Sequence, residues 1–105
     1  MEPTTTAELT DRQRGIYARI RPLLSDRLGE PEVKITLHAE FVGDLNADSL
    51  DLVEIVLTLD KEFDLNTPDE VAEQIRTVWG GIKYLDDVLP ADAIEPMTED
   101  QLSDA

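Results

Sequence analysis

Apolar residues recur along this chain at the spacing of amphipathic helices, without the alternation typical of β-strands. The first helix is predicted to begin near Thr6 or Ala7 and to end at Gly29, with Pro22 kinking or splitting it. A second helix is predicted from about residue 49 to residue 63, because its apolar positions fall at i, i+3, i+4, i+7 and i+11. This stripe is the expected core face and consists of Leu52, Ile55, Val56, Leu59 and Phe63.

The second helix carries another, smaller apolar strip on a different side. Leu50, Val53 and Leu57 form it, and the charged residues Glu54 and Lys61 lie beside it. One interpretation is a wide buried face in a tightly packed bundle, and the other is a docking strip for another protein. We favour docking for Leu50 and Leu57, and the edge of the core for Val53.

The remaining segments predict a long first loop, one short helix and a last main helix. The loop spans 30–47 and is expected to be held to the core by Ile35, Leu37, Phe41 and Val42. The short helix is "PDEVAEQI" (residues 68–75), with Val71 and Ile75 facing inward. The last helix is expected to be capped by Thr77 and stopped by Pro90. Its predicted inner face consists of Val78, Ile82, Leu85 and Leu89.

These elements predict an all-α fold, a small antiparallel bundle of three main helices plus one short helix. Residues 1–7 are expected to form a flexible N-terminal extension, 8–89 the helical domain, and 90–105 an acidic mobile tail. With 105 residues, the chain is long enough for a single small core.

The net charge of −15 is concentrated in the second part of the chain. Residues 1–34 hold six basic and six acidic side chains, whereas residues 35–105 hold three basic and eighteen acidic ones. This distribution argues against nucleic acid as a partner and favours proteins with basic patches. The sequence has no cysteine, no signal peptide and no apolar stretch of membrane-spanning length, so we expect a cytoplasmic monomer without membrane insertion.

Ser49 stands at the predicted start of the acidic second helix and is the candidate for chemistry. Nucleophilic catalysis needs a neighbouring base, but the only histidine, His38, lies in the long loop, so no enzyme is expected. Asp44, Asn46 and Asp48 imitate a calcium loop, but Ser49 replaces its required glycine and Ile55 its bidentate glutamate. No metal site is therefore expected.

Two roles remain for this hydroxyl on the residues alone. Asp48 and Ser49 are both good N-cap residues, so Ser49 is suited to a purely structural role. Alternatively, a phosphate attached to Ser49 would lie at a helix N-terminus, where free N–H groups and the helix dipole favour an anion.

The segment "DLNADSLDLVEIVLTLDKEFDLNTPDEVAEQIRTVWGGIKYL" resembles the acyl carrier proteins. The hallmark of that family is Asp-Ser-Leu at the start of the second helix, here Asp48, Ser49 and Leu50, and the resemblance covers about residues 13–89. It implies that Ser49 carries 4′-phosphopantetheine, transferred from coenzyme A by a separate enzyme. The thiol of that arm would hold acyl groups as thioesters, which would explain why the chain itself needs no cysteine.

The resemblance also implies roles for the rest of the second helix. Phosphopantetheinyl transferase and acyl-processing enzymes would dock through basic patches onto Asp48, Leu50, Asp51, Glu54 and Leu57. An acyl chain would be sheltered by Ile55, Val56, Leu59 and Ile75. Fatty-acid, lipid and polyketide-type synthesis are the pathways that such a carrier serves.

The sequence departs from the family pattern at two positions that bear on the site. Asn46 stands where glycine is usual, and asparagine tolerates the left-handed backbone better than most residues. Thr67 stands where the family prefers isoleucine, a change that bears on local packing. Two alternatives stay open, namely a carrier of aminoacyl or peptidyl groups and an unmodified or calcium-responsive acidic adaptor in which Ser49 is only a cap.

Overall fold

The computed structural model describes residues 2–102, and these form the predicted all-α bundle. Two short 3-10 turns, Thr6–Glu8 and Glu32–Lys34, precede the second main helix. The α-helices are α1 (Asp11–Leu28), α2 (Ser49–Phe63), α3 (Asp69–Ala72), α4 (Val78–Val88) and α5 (Glu99–Leu102). Within the described range there is no β-strand, and the single extended pairing is an isolated bridge between Glu40 and Thr77.

Helix α1 begins later than its sequence predicts and is not divided. The Thr10 hydroxyl accepts a 3.0 Å hydrogen bond from the backbone N–H of Gln13, and the Gln13 side chain accepts one from the backbone of Thr10. This reciprocal cap places the first helical residue at Asp11, so the predicted start near Thr6 or Ala7 is wrong. The helix continues through Pro22, which rules out a split, and ends at left-handed Gly29 as predicted.

The core lies where α1 packs against α2 and α4. The predicted inner face of α4 is confirmed, since Val78, Ile82, Leu85 and Leu89 are all buried. Thr77 caps this helix by accepting a 3.0 Å hydrogen bond from the N–H of Gly80, also as predicted. The core stripe of α2 is less deeply buried, because Ile55 alone is fully covered and its other four members are half-buried.

The long loop is fastened to the beginning of α4 by backbone hydrogen bonds. The N–H of Phe41 donates to Arg76 at 3.0 Å, and the N–H of Val78 donates to Ala39 at 3.1 Å. Ile35, Leu37 and Phe41 are buried as predicted, but Val42 is 63% exposed, so its assignment to the core is wrong. This attachment fixes the point from which the chain enters α2.

Residues beyond Pro90 lie against α1 as far as the structure describes them. Ile94 is buried, and the N–H of Met97 donates to the carbonyl of Asp11 at 2.9 Å. The buried guanidinium of Arg14 donates to the carbonyls of Leu9 (2.8 Å) and Met97 (2.9 Å), so it joins segments from both ends of the chain. The predicted division into an N-terminal extension, a helical domain and a mobile tail did not anticipate these contacts, and it stays a prediction. Residue 1 and residues 103–105 lie outside the described range.

Candidate functional site at the start of α2

Ser49 is the first residue of α2, and its side chain is exposed. The cap of the helix is the preceding residue, because an Asp48 carboxylate oxygen accepts a 2.8 Å hydrogen bond from the N–H of Asp51. The Asp51 carboxylate in turn accepts a 3.1 Å bond from the N–H of Asp48. These two hydrogen bonds cap α2, a role that the sequence allowed for either Asp48 or Ser49. The Ser49 hydroxyl therefore has no part in the cap.

The backbone at this helix end is suited to a negatively charged group. The N–H groups of Ser49 and Leu50 have no hydrogen-bond acceptor among residues 2–102, as expected for the first turn of a helix. These groups and the helix dipole favour an anion on the Ser49 oxygen. The carboxylates of Asp48 and Asp51 oppose it, so an enzyme that adds a phosphate here would have to neutralise them.

Asn46 sets the turn that leads into the site. Its φ of 59° places it in the left-handed region, which confirms the expectation that asparagine substitutes for glycine in this conformation. The Asn46 amide is within 3.5 Å of the Glu30 carboxylate, a long hydrogen bond to the beginning of the same loop.

The outer side of α2 presents apolar residues beside acids. Leu50 is 65% exposed and Leu57 is 62% exposed, in agreement with the predicted strip. Val53 is 54% exposed, so its assignment to the edge of the core is wrong, and it belongs to the same surface. Asp48 is exposed, whereas Asp51 and Glu54 are half-buried. The predicted partner-facing residues are thus all on α2 or at its cap, with a third apolar side chain among them.

A cleft of about 920 Å³ opens beside α2 and is bounded also by α1, α3, α4 and the long loop. Ser49 is on its wall together with the four residues predicted to shelter an acyl chain, which are Ile55, Val56, Leu59 and Ile75. The cleft explains why the core stripe of α2 is only half-buried, since part of that stripe faces open space. The structure brings the candidate attachment residue and the candidate pocket together, while their roles stay predictions.

Sequence reasoning missed three polar residues in the same cleft. Asp60, Thr67 and Tyr84 line it, and their side chains are hydrogen-bonded to one another. They come from α2, the loop after it and α4, so helical periodicity alone does not group them. The only sequence signal was Thr67, a polar residue at a position where the resembled family has an apolar one.

The other candidate groups, a histidine base and a metal site, are not found beside Ser49 in the described residues. The His38 ring contacts the Pro3 carbonyl and approaches the Glu2 carboxylate at 3.8 Å, with no contact to Ser49. Over the described part of the chain, no group of three or more His, Asp or Glu side chains is arranged to hold a metal ion. Hydrogen bonds from the Thr4 hydroxyl and backbone N–H hold the pKa of Glu8 below its ordinary value, but this residue is far from Ser49 in the sequence. None of the helices in residues 2–102 is both long and apolar enough to cross a membrane.

Taken together, the site is a free serine hydroxyl at a helix N-terminus, placed on an acidic surface and beside a cleft. This combination is suited to the attachment of a phosphate-linked group. A family model described as "Phosphopantetheine attachment site" matches residues 18–80, which is more than half of the chain. The protein therefore belongs to the phosphopantetheine-binding carrier family, whose domains carry covalently attached 4′-phosphopantetheine.

The residues present fit this group. The free N–H groups of Ser49 and Leu50 are suited to a phosphodiester on the Ser49 oxygen, and the hydroxyl is exposed to a modifying enzyme. When bound, the arm supplies the thiol that a cysteine-free chain lacks. Carriers of this family interact with a phosphopantetheinyl transferase and with the enzymes that process their cargo.

Proposed function

We propose that this protein is a non-catalytic carrier that holds acyl groups as thioesters on a 4′-phosphopantetheine arm attached to Ser49. The observation that carries the proposal is that residues other than Ser49 cap the start of α2. Asp48 and Asp51 cap the helix, so the exposed Ser49 hydroxyl has no structural task and remains available for modification. The adaptor in which Ser49 is only a cap is disfavoured for the same reason.

The cleft supports acyl cargo in particular. Ile55, Val56, Leu59 and Ile75 give it an apolar wall beside Ser49, and burial of a hydrocarbon chain there would contribute roughly 0.8 kcal/mol per methylene. Leu50, Val53 and Leu57, edged by Asp48, Asp51 and Glu54, form a surface suited to enzymes with basic patches. In such a system the visiting enzymes perform the chemistry, in the cytoplasm, and the carrier presents the cargo.

Intact mass spectrometry tests this proposal. The protein is incubated with coenzyme A, Mg²⁺ and a broad-specificity phosphopantetheinyl transferase, and we expect a gain of one phosphopantetheinyl group. Ser49→Ala should abolish the gain, whereas Ser25→Ala should keep it, since Ser25 lies in the last turn of α1 and its hydroxyl donates to the carbonyl of Glu30. Absence of any gain with several transferases would refute the carrier function, and a gain that survives Ser49→Ala would refute the attachment residue.

A further inference from the structure

Asp60, Thr67 and Tyr84 form one hydrogen-bonded polar wall of the cleft beside Ser49, whose lining also includes polar side chains such as Asn66 and Arg76. The Tyr84 hydroxyl donates to the Thr67 hydroxyl at 3.0 Å, and the Thr67 hydroxyl donates to an Asp60 carboxylate oxygen at 2.5 Å. The other Asp60 oxygen accepts a 3.1 Å bond from the N–H of Thr67. All three side chains are half-buried and line the cleft.

The direction of these hydrogen bonds determines what the wall can bind. Both hydroxyl protons are used inside the row, and a carboxylate has no proton to donate. What remains free on the three side chains is therefore lone pairs on oxygen. The wall accepts hydrogen bonds and has no donor to offer, so it suits a ligand group that donates one.

The Asp60–Thr67–Tyr84 wall does not adjoin Ser49 but lies further along α2. Ser49 and Asp60 are eleven positions apart on α2, which corresponds to about 16 Å along the helix axis. Between them the cleft is lined by apolar residues, including Ile55, Val56 and Leu59. An acyl chain that extends along the cleft from Ser49 would therefore contact apolar side chains first and then the hydrogen-bond acceptors of the wall.

We propose that the Asp60–Thr67–Tyr84 wall makes this protein selective for acyl chains that bear a hydroxyl group. This inference rests on the proposed function, since it concerns the cargo of the same arm. A saturated alkyl chain would strip water from the wall and leave its free acceptors without a donor. A ketone would bring a further acceptor and likewise leave them unpaired. A hydroxyl supplies the one donor that the wall lacks, and, unlike an ammonium group, carries no charge that must be desolvated.

Octanoyl thioesters loaded onto the arm from acyl coenzyme A provide the probe. One set is unsubstituted, and the others carry a hydroxyl, a ketone or an amino group at the same carbon, which is moved along the chain. The readouts are the rate of thioester cleavage by hydroxylamine and the NMR shift of the Thr67 methyl group. At the best position we expect the hydroxylated chain to be cleaved about tenfold more slowly than the ketone, the factor that corresponds to one added hydrogen bond.

Thr67→Val should bring the rate ratio of hydroxylated to ketone chains towards one, because it removes one acceptor and frees the Tyr84 hydroxyl to donate to the ketone. Tyr84→Phe leaves both Thr67–Asp60 hydrogen bonds in place, and with them the closure of the loop after α2, and it should keep the preference for a hydroxyl because the freed Thr67 oxygen still accepts. Thr58→Val makes the same chemical change as Thr67→Val on α2, at a residue outside the cleft, and should keep the ratio.

The outcomes separate this inference from the proposed function. If the arm is loaded but ketone, alkyl and hydroxylated chains are cleaved at equal rates, the selectivity is refuted while the carrier function stands. An effect of Thr67→Val on stability without any change in the ratio would also refute it, since the wall would then only fix the loop. Stronger protection of an amino-substituted chain would overturn the assignment to hydroxyl. Failure to load any chain would refute the carrier function itself.

Discussion

Gly15 in α1 lies directly beneath the backbone of Glu95, where the segment after Pro90 packs on this helix. A Cβ atom at position 15 would meet Cγ2 of Ile94 at 2.8 Å and would lie still closer to the carbonyl oxygen of Glu95. Non-bonded carbon atoms prefer about 3.5–4.0 Å, so glycine is required here by the approach of another part of the chain. The packing of Ile94 therefore depends on a residue far away in the sequence.

Gly15→Ala should destabilise the protein even though alanine favours helices by about 1 kcal/mol over glycine. The added methyl would displace Ile94, whose burial is worth roughly 1.5–3 kcal/mol. We expect a lower unfolding midpoint in urea and faster hydrogen exchange at Met97, whose N–H donates to Asp11. Gly81→Ala in α4 is the matched control, because its Cβ would make only one contact, at 3.9 Å, and it should stabilise the protein. Equal stabilisation by both variants would show that residues 94–97 do not pack on α1 in solution.

Asn46 and Asp64 are the two non-glycine residues with positive φ in the described range, at 59° and 56°. Asn46→Gly is expected to change the free energy of unfolding by only a few tenths of a kcal/mol, because glycine adopts this conformation without strain. Asn46→Ala should cost about 1–2 kcal/mol, since a Cβ without a local hydrogen-bonding group disfavours the left-handed region. Asp64→Ala at the end of α2 provides a second instance and should cost a similar amount in urea unfolding. A tolerated Asn46→Ala would contradict the strained turn.

The main elements follow from the sequence because their signals are local. The bounds of α2 agree with its apolar periodicity, and Thr77 and Gly29 lie at helix ends where such residues are favoured. The start of α1 is misplaced because both Thr5 and Thr10 have Glu or Gln three residues later, and Thr5 precedes only the 3-10 turn Thr6–Glu8.

The wrong predictions concern burial, which the sequence pattern does not determine because it depends on which other elements cover a residue. Val42 and Val53 are apolar residues at plausible positions, yet no element lies over them, and both are exposed. Ile94 stands in an acidic segment without helical partners, and its burial depends on Gly15. The row of Asp60, Thr67 and Tyr84 joins three separate segments, so it follows only from how the fold places α2, α4 and the loop after α2.

The capping arrangement at α2 predicts different effects for two adjacent substitutions. Ser49→Ala should alter the free energy of unfolding of the unmodified protein by less than about 0.5 kcal/mol, because its side chain makes no hydrogen bond within residues 2–102. Asp48→Ala should cost about 1 kcal/mol, whereas Asp48→Asn should keep most of the cap. Urea unfolding monitored by circular dichroism measures both. A larger loss for Ser49→Ala than for Asp48→Ala would mean that the serine is the true cap.

Reversal of charge on the predicted partner-facing side of α2 should weaken modification without unfolding the helix. Glu54 lies between the exposed Val53 and Leu57 and is itself only half-buried. Glu54→Lys is expected to lower kcat/KM for a phosphopantetheinyl transferase about tenfold, which corresponds to one lost charge pair of roughly 1.4 kcal/mol.

Asp87→Lys, on the exposed surface of α4, makes the same change in charge and serves as the matched control. It should have a much smaller effect, because the loss at position 54 is local and does not come from the net charge of −15. Added salt should lower kcat/KM of the wild-type protein more than that of Glu54→Lys, since screening removes an attraction that the variant already lacks. Equal losses for the two variants, at unchanged helicity, would mean that transferases respond to overall charge and that this side of α2 is not their docking surface.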